Sequence, residues 1–183
     1  MRADVMVDLE TLAIDKNCVI LSIGACQFDI ETGNIGNCFY SILDIQKQID
    51  NGRVISASTL KWWINQSIHD PKSADIFNSR TELSLDFVLN SLARFIPKSD
   101  TKVWSNGASF DCAVLEQAYG DNLPWWFSRT RDTRTILDVA DLSGGDFEFK
   151  GTAHNALADA IHQAKYVSAA WQKLRGIENV KSI

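Results

Sequence analysis

The chain lacks the features that mark membrane, secreted or disulfide-stapled proteins. None of its apolar runs approaches the roughly 20 residues of a membrane-spanning helix. No long apolar segment follows the single Arg near the N-terminus, so we expect no secretory signal. Its four cysteines, Cys18, Cys26, Cys38 and Cys112, have neither C-x-x-C spacing nor the density of a disulfide scaffold. These absences predict reduced thiols, a cytoplasmic location and no membrane partner.

Internal repeats, low-complexity tracts and linkers are also missing. The 183 residues suffice for one domain with a sizeable core and leave little room for a second. Hydrophobic residues make up 45% and charged residues 22%, which is a globular mixture and excludes disordered and fibrous classes. We therefore predict a single domain over residues 1–183, with its core at about 4–175.

Positive charge is scarce, with a net charge of −5. Proteins that bind the nucleic-acid backbone are usually basic, so this balance argues against such a partner. However, a site that collects carboxylates to hold cations is much less acidic once it is loaded. Residues 128–134 also hold three Arg against one Asp, a local charge of +2. Net charge therefore does not exclude nucleic acid.

The first forty-odd residues predict three strands. Residues 4–10 alternate, with apolar side chains at odd positions and with Asp8 and Glu10 together on the other face. Residues 19–28 are apolar on both faces, as expected of a strand buried on two sides. A third strand is predicted at 38–43, after a turn-forming cluster. The short connections favour antiparallel pairing.

The rest of the chain predicts helices that alternate with short strands. Apolar residues recur at helical spacing over 58–65 and over 84–95, where Ser84 is the expected N-cap. The later predicted elements are a strand at 102–105, a helix at 110–119 and a long helix at 155–175. The outline β-β-β-α-β-α-β-α describes an α/β domain, a mixed sheet with helices on its faces.

Asp8 and Glu10 form the first candidate metal-binding pair. At positions i and i+2 of a strand they leave the same face about 6.6 Å apart. Hard carboxylate oxygens suit Mg²⁺ or Mn²⁺, whereas zinc normally recruits His and Cys. The triplets at 29–31 and 146–148 have the same D-x-E pattern and predict solvated loop pairs. Asp8 and Glu10 differ because they end an otherwise apolar strand, where sites are often built.

Three more residues complete the acidic set, although each alone has an ordinary explanation. Asp111 follows a strand and a turn, so it could be merely a helix-terminal acid. His154 could be a hydrogen-bonded loop residue. Five residues span about 500° of a helix, so His154 and Asp159 could not share a helical face. With Asn155 as N-cap, His154 lies on the preceding loop and the two side chains can approach one site from two directions.

These residues resemble the motifs of the DEDD superfamily of 3′→5′ exonucleases, in the DEDDh branch whose last motif carries His. The motifs here are Val-Asp-Leu-Glu-Thr at 7–11, Trp-Ser-Asn-Gly-Ala-Ser-Phe-Asp at 104–111 and His-Asn-Ala-Leu-Ala-Asp at 154–159. The chain is especially similar to short exoribonuclease-like members found in phages, prophages and mycobacteria. Residues 60–64 and 131–134 contribute to that closer likeness.

The resemblance implies a fold and a chemistry. The fold would be RNase H-like, with three antiparallel N-terminal strands and shorter parallel strands flanked by helices. Asp8, Glu10, Asp111 and Asp159 would hold two Mg²⁺ or Mn²⁺ ions, and His154 would take a proton from the attacking water. Nucleoside 5′-monophosphates would leave the 3′ end of single-stranded nucleic acid. The subgroup favours RNA slightly over DNA, and a homodimer is plausible.

Substrate binding is expected from aromatic rings that stack on bases and from cations that meet phosphates. Because Trp62 and Trp63 are adjacent, we expect one to face the core and the other a surface or groove. Asn106 is either a turn residue or a ribose contact. The candidate substrate-binding residues are Leu9, Thr11, Trp62, Trp63, Asn106, Phe110, Arg131 and Arg134.

Two other classes of function remain open at this point. A nucleic-acid-binding module could keep the fold without the chemistry, although the expected residue types fill all five catalytic positions. Alternatively, the chain could be a structural α/β domain whose acids meet by coincidence.

Overall fold

Five strands form one mixed sheet in the computed structural model, which describes residues 3–78, 82–151 and 154–177. The strands are β1 (Asp4–Thr11), β2 (Ile20–Phe28), β3 (Ile35–Ile42), β4 (Val103–Ser105) and β5 (Thr130–Asp132). Their order across the sheet is β3-β2-β1-β4-β5. The ends of the predicted domain, at 1–2 and 178–183, lie outside the described residues.

The sheet joins an antiparallel half to a parallel half. Strand β2 pairs antiparallel with both β1 and β3, whereas β4 runs parallel to β1 and to β5. This confirms the predicted arrangement of three antiparallel strands with shorter parallel ones. The carboxyl ends of β1, β4 and β5 therefore meet at one edge of the sheet, which is where ligands bind in open α/β sheets.

Within the described ranges, six α-helices connect and cover the strands. They are α1 (Ile45–Asp50), α2 (Ala57–His69), α3 (Leu85–Phe95), α4 (Asp111–Tyr119), α5 (Thr133–Val139) and α6 (Ala156–Leu174). Short 3-10 helices lie at Pro71–Phe77, Gly120–Asn122, Phe127–Arg129 and Gly144–Asp146. Side-chain oxygens cap several N-termini: Ser84 accepts from the N–H of Phe87, and Asn155 from the N–H of Ala158.

The alternation of β1 places a hydrophobic core on each face of the sheet. Val5, Val7 and Leu9 pack with α3 and α4 on one face. Met6 packs on the other face with Ala160 and further residues of α6. Asp8 and Glu10 continue the Met6 face toward the carboxyl end of β1, where they leave the core and meet α6.

The predicted outline contains the five strands in their observed order, but it is simpler than the fold. Helices α2 and α3 correspond to the helical segments predicted at 58–65 and 84–95, but α1 before them and α5 before α6 were not predicted. Helix α1 has six residues and α5 has seven. Elements this short span about two turns, so hydrophobic periodicity cannot reveal them. None of the helices within the described ranges is long and apolar enough to cross a lipid bilayer.

Candidate active site

Two carboxylates project from the carboxyl-terminal half of β1. Asp8 lies opposite Gly24 of β2, and Glu10 lies opposite Ser22. Because both are on the Met6 face, their side chains point toward the first turns of α6. The strand thus delivers two oxygen ligands at the carboxyl edge of the sheet.

Helix α6 reaches this edge because Gly24 has no side chain. A Cβ added at Gly24 would lie 2.1 Å from the carbonyl carbon of Ala156 and 2.2 Å from the backbone nitrogen of Leu157. Contacts this short are impossible, so any larger residue would push the start of α6 away from β2. The close approach carries Asp159, in the first turn of α6, toward Asp8.

The carboxylates converge. Oxygen atoms of Asp8, Glu10 and Asp159 lie within 4.8 Å of one another. Asp111, the first residue of α4, comes from the other side of β1, is 5% exposed, and accepts a hydrogen bond from the backbone N–H of Leu9 (3.2 Å). The structure thus gathers the four predicted acids, which lie up to 151 residues apart in the chain, around the end of one strand.

Burial and mutual repulsion disfavour the ionised state of the two β1 acids. The pKa of Asp8 is raised well above its ordinary value, first by burial and then by the charges of Asp111, Glu10 and Asp159. The pKa of Glu10 is raised to about 8, again chiefly by burial, with Asp159 and Asp111 adding to the effect. Full ionisation of this cluster is therefore unfavourable in the protein alone and would be favoured by added positive charge.

The two helix-borne acids are shifted in the same direction. Burial raises the pKa of Asp111 to about 7, although backbone N–H groups and the positive charge of Arg134 oppose the rise. Burial raises the pKa of Asp159 to about 6, partly opposed by a backbone hydrogen bond. The donor set consists entirely of carboxylate oxygens, and hard divalent cations such as Mg²⁺ or Mn²⁺ fit such a set.

His154 stands beside the paired tryptophans. Its backbone is left-handed (φ 58°), which places it on the turn before α6. Its ring lies edge-on to Trp62, with ring centroids 4.8 Å apart, and 6.0 Å from the ring of Trp63. Burial lowers the pKa of His154, and the charge of Asp70 partly opposes this. In the described part of the chain, the aromatic contacts of His154 are with these two indoles.

The indole pair joins His154 to the end of β1. Trp63 is 1% exposed and its Nε1–H donates to the carbonyl oxygen of Thr11 (2.9 Å). Trp62 is 41% exposed. The expectation that one tryptophan faces the core and the other a surface is confirmed, and the exposed ring is the one nearer to His154.

Arg134 and Asn106 lie just after the carboxyl ends of β5 and β4, and the charge of Arg134 acts on Asp111. The guanidinium of Arg134 lies over Gly107, so that a Cβ there would be 3.3 Å from Arg134 Cζ. Asn106 Oδ1 accepts a hydrogen bond from the hydroxyl of Thr133 (2.9 Å). This bond occupies the acceptor of the Asn106 amide and orients its N–H₂ group.

A cavity of about 610 Å³ opens beside these two residues. Asn106, Arg134 and Ser143 supply polar lining, and Leu137, Leu142 and Tyr166 supply apolar surface. Tyr166 also lies within electrostatic range of Asp8 and Asp159. Through Tyr166 the cavity therefore borders the carboxylate cluster.

Other predicted substrate residues have structural contacts. The guanidinium of Arg131 donates to the carbonyl oxygens of Ser128 (2.9 Å) and Thr130 (2.8 Å). Leu9 and Phe110 pack in the core on the α4 side of the sheet. The Thr11 hydroxyl donates to the carbonyl oxygen of Ala13 (2.9 Å). Their roles in substrate binding stay predictions.

Gln163 and Tyr166 border the site, and neither was singled out from the sequence. Gln163 donates from Nε2 to Asp8 Oδ1 (2.7 Å). The two residues follow Asp159 at i+4 and i+7, so they occupy the helical stripe that Asp159 begins. Extending that stripe from the last motif would have found both.

The fold is similar to that of solved exonucleases. Escherichia coli exonuclease I in complex with a dT13 oligonucleotide superposes with a TM-score of 0.67 at 11% identity, over 97% of this chain and 42% of that one. The zinc-bound form of the E. coli exonuclease I–single-stranded DNA complex superposes with a TM-score of 0.64 at 14% identity, over 97% of this chain and 42% of that one. Exonuclease X in complex with 5′-overhanging duplex DNA superposes with a TM-score of 0.57 at 15% identity, over 94% of this chain and 92% of that one.

At these identities the likeness shows the fold alone, an RNase H-like α/β domain as expected. The chain spans 42% of the length of the two exonuclease I chains. No curated protein sequence matches it. Residues 3–171, however, match the 3′-5′ exoribonuclease Rv2179c-like domain. The chain therefore belongs to the Rv2179c-like family of 3′-5′ exoribonuclease domains.

Proposed function

We propose that this protein is a divalent-cation-dependent 3′→5′ exonuclease that releases nucleoside 5′-monophosphates from single-stranded nucleic acid, with RNA as the favoured substrate. One observation carries the proposal: oxygen atoms of Asp8, Glu10 and Asp159 lie within 4.8 Å of one another. Asp111 is bonded to the backbone of the same strand. Asp111 is buried and the other three acids are half-buried, and gathering their charges in so small a space is unfavourable unless positive charge joins them.

The carboxylates are suited to hold two Mg²⁺ or Mn²⁺ ions. The converging oxygens of Asp8, Glu10 and Asp159 would hold the ions together with Asp111. Two bound cations stabilise the negative charge that builds up at phosphorus during phosphodiester hydrolysis. The protein supplies the converging oxygens and keeps them in place through α6 and β1.

His154 is the candidate general base. Burial lowers its pKa, so the imidazole is neutral and able to accept a proton from water near neutral pH. It lies on the turn directly before α6, whose first turn carries Asp159, and its ring packs against the indoles of Trp62 and Trp63.

His154→Asn is expected to lower kcat by about 10²- to 10⁴-fold, the usual contribution of a general base. Asn tolerates the left-handed backbone of this position, whereas Ala would be strained there. The measurement is the rate of nucleotide release as a function of pH at saturating Mn²⁺. The pH–rate profile of the variant should lack the rise that deprotonation of the imidazole causes in the wild type. His69→Asn, at the end of α2, is the matched control. Full activity of His154→Asn at neutral pH would exclude the general-base role.

The cavity beside Arg134 supports a nucleotide substrate. Its volume of about 610 Å³ lies within the range of small-molecule sites, roughly 300–1,000 Å³. Arg134 is an exposed cation, and the Asn106 amide is oriented with its N–H₂ group available, so both can donate to phosphate oxygens. Trp62, beside His154, offers an exposed ring on which a base can stack.

Arg134→Ala is expected to raise the KM for an oligonucleotide about 10- to 100-fold with little change in kcat, because a charge-assisted phosphate contact is lost from the bound state. Steady-state kinetics at saturating Mn²⁺ measure the two constants separately. Arg131→Ala is the control from the same motif, since its guanidinium binds local carbonyl oxygens and its loss should change KM much less. Equal effects of the two variants would remove the phosphate contact from the proposal.

RNA is favoured because the matching family is one of exoribonuclease domains. Single-stranded DNA is the second candidate, since structural neighbours have been solved in complex with DNA oligonucleotides. Matched single- and double-stranded RNA and DNA oligomers, labelled at the 5′ end, test both with Mg²⁺ and with Mn²⁺. A ladder that shortens from the 3′ end, fastest on single-stranded RNA, is expected. Cleavage of circular substrates would contradict the proposed exonuclease activity. Binding of nucleic acid without release of nucleotides would favour a non-catalytic binding module.

A further inference from the structure

Gln163 makes a direct contact with the central acid of the cluster. It lies on α6, one helical turn after Asp159, and is only 6% exposed. Its Nε2 donates a hydrogen bond of 2.7 Å to Asp8 Oδ1. The contact joins two residues 155 positions apart, so it is a product of the fold rather than of local geometry.

A neutral amide suits this position better than a charged side chain. A Lys or Arg in contact with Asp8 would neutralise the carboxylate and compete with a cation for it. An amide N–H fixes the orientation of the carboxylate and engages one oxygen, while the negative charge of the group remains. The amide thereby restrains the Asp8 side chain through Oδ1 and engages only one of its two oxygens.

The other end of the same amide gives an independent observation. Gln163 Oε1 is one of three buried side-chain nitrogen or oxygen atoms in the described ranges that have no hydrogen-bond partner. Buried polar atoms are normally paired. The Gln163 amide departs from this rule, because its N–H₂ group donates to Asp8 while its oxygen has no donor. Turning the amide over would place Oε1 against the carboxylate, which is repulsive. The orientation of Gln163 therefore depends on the Asp8 contact.

We propose that Gln163 is a positioning residue that holds the Asp8 carboxylate for divalent-cation binding without adding charge to the site. The inference rests on the proposed function, because it needs a cation at Asp8. Partners that orient a metal ligand in this way typically change metal affinity or activity by about 10- to 100-fold when they are removed.

The test compares two buried glutamines of α6. Gln172 is 8% exposed and donates from Nε2 to the carbonyl oxygen of Glu31 (2.8 Å), away from the cluster. Gln163→Met should raise the Mn²⁺ concentration for half-maximal activity about 10- to 100-fold and weaken Mn²⁺ binding in calorimetry by the same factor. The KM for oligonucleotide at saturating Mn²⁺ should stay unchanged. Gln172→Met should leave all three quantities as in the wild type.

Gln163→Asn provides a second variant that keeps the polar, neutral side chain but withdraws the donor by one methylene. It should shift Mn²⁺ affinity in the same direction as Gln163→Met, and either variant suffices if the other fails to fold. Unchanged Mn²⁺ affinity in a folded Gln163 variant, or a loss equal to that of Gln172→Met, would overturn the proposal. If wild-type protein itself binds no Mn²⁺, the proposed function fails and not merely this part of it.

Discussion

Asp8→Asn is expected to slow nucleotide release by at least about 10³-fold, corresponding to roughly 4 kcal/mol of lost transition-state stabilisation. Asp8 is the central acid of the cluster: its pKa responds to the charges of Asp111, Glu10 and Asp159 together. Asn has nearly the same shape and can still accept from Gln163, so the change removes the charge with little disturbance of the packing. The rate at which a 5′-labelled oligomer shortens measures the effect.

Asp29→Asn is the matched control. It belongs to a second D-x-E triplet, but its carboxylate accepts from the backbone N–H groups of Glu31 and Thr32 in a turn. The amide oxygen of Asn can take over these bonds, so activity should stay within about twofold, as for most surface substitutions. Comparable losses in Asp8→Asn and Asp29→Asn, or an active Asp8→Asn, would show that the cluster is not the catalytic centre.

The free energy of unfolding of cation-free protein is expected to fall as pH rises from about 4.5 to about 8. In the folded protein burial raises the pKa values of Glu10, Asp111 and Asp159 to about 8, 7 and 6, whereas the unfolded chain titrates near 4. A raised folded-state pKa stabilises the protein below the unfolded value, and that contribution is lost as pH passes through the folded value. The slope is roughly 1.4 kcal/mol per pH unit for each proton the fold retains.

Divalent cations should reverse this loss. Because Mn²⁺ must displace protons from the cluster at low pH, its stabilising effect should be larger at pH 8 than at pH 5. Urea unfolding at several pH values, with EDTA and with Mn²⁺, measures both trends. Glu10→Gln should show a shallower pH slope than wild type without cations. A free energy of unfolding that rises with pH in EDTA, or a Mn²⁺ effect independent of pH, would contradict the cation site.

Much of the fold could be predicted because its long elements have clear periodicity. The two faces of β1, the buried β2 and the capped helices α3 and α6 all agree with the sequence pattern. Strand β5 has three residues, so it has no pattern of its own and exists because β4 offers it an edge to pair with. Such elements depend on tertiary contacts that a local pattern does not record.

The acids could be predicted only as a set, since a D-x-E triplet carries little information alone. Asp146 lies in one such triplet and accepts hydrogen bonds from the backbone N–H and hydroxyl of Ser143 in an exposed 3-10 turn. Asp8 differs through its surroundings, above all through Gly24, which admits the start of α6. Neither that close approach nor the Gln163 contact follows from local sequence, because each joins residues more than 100 positions apart.

Calorimetric titration of cation-free protein with Mn²⁺ at pH 8 tests the central claim, that these carboxylates form one divalent-cation site. Wild-type protein should bind Mn²⁺ saturably, with two ions per chain as expected of a two-cation hydrolase. Asp8→Asn should lose most of the binding heat, and Asp29→Asn should titrate like the wild type. Heats no larger than those of dilution in wild-type protein, or full binding by Asp8→Asn, would contradict the account.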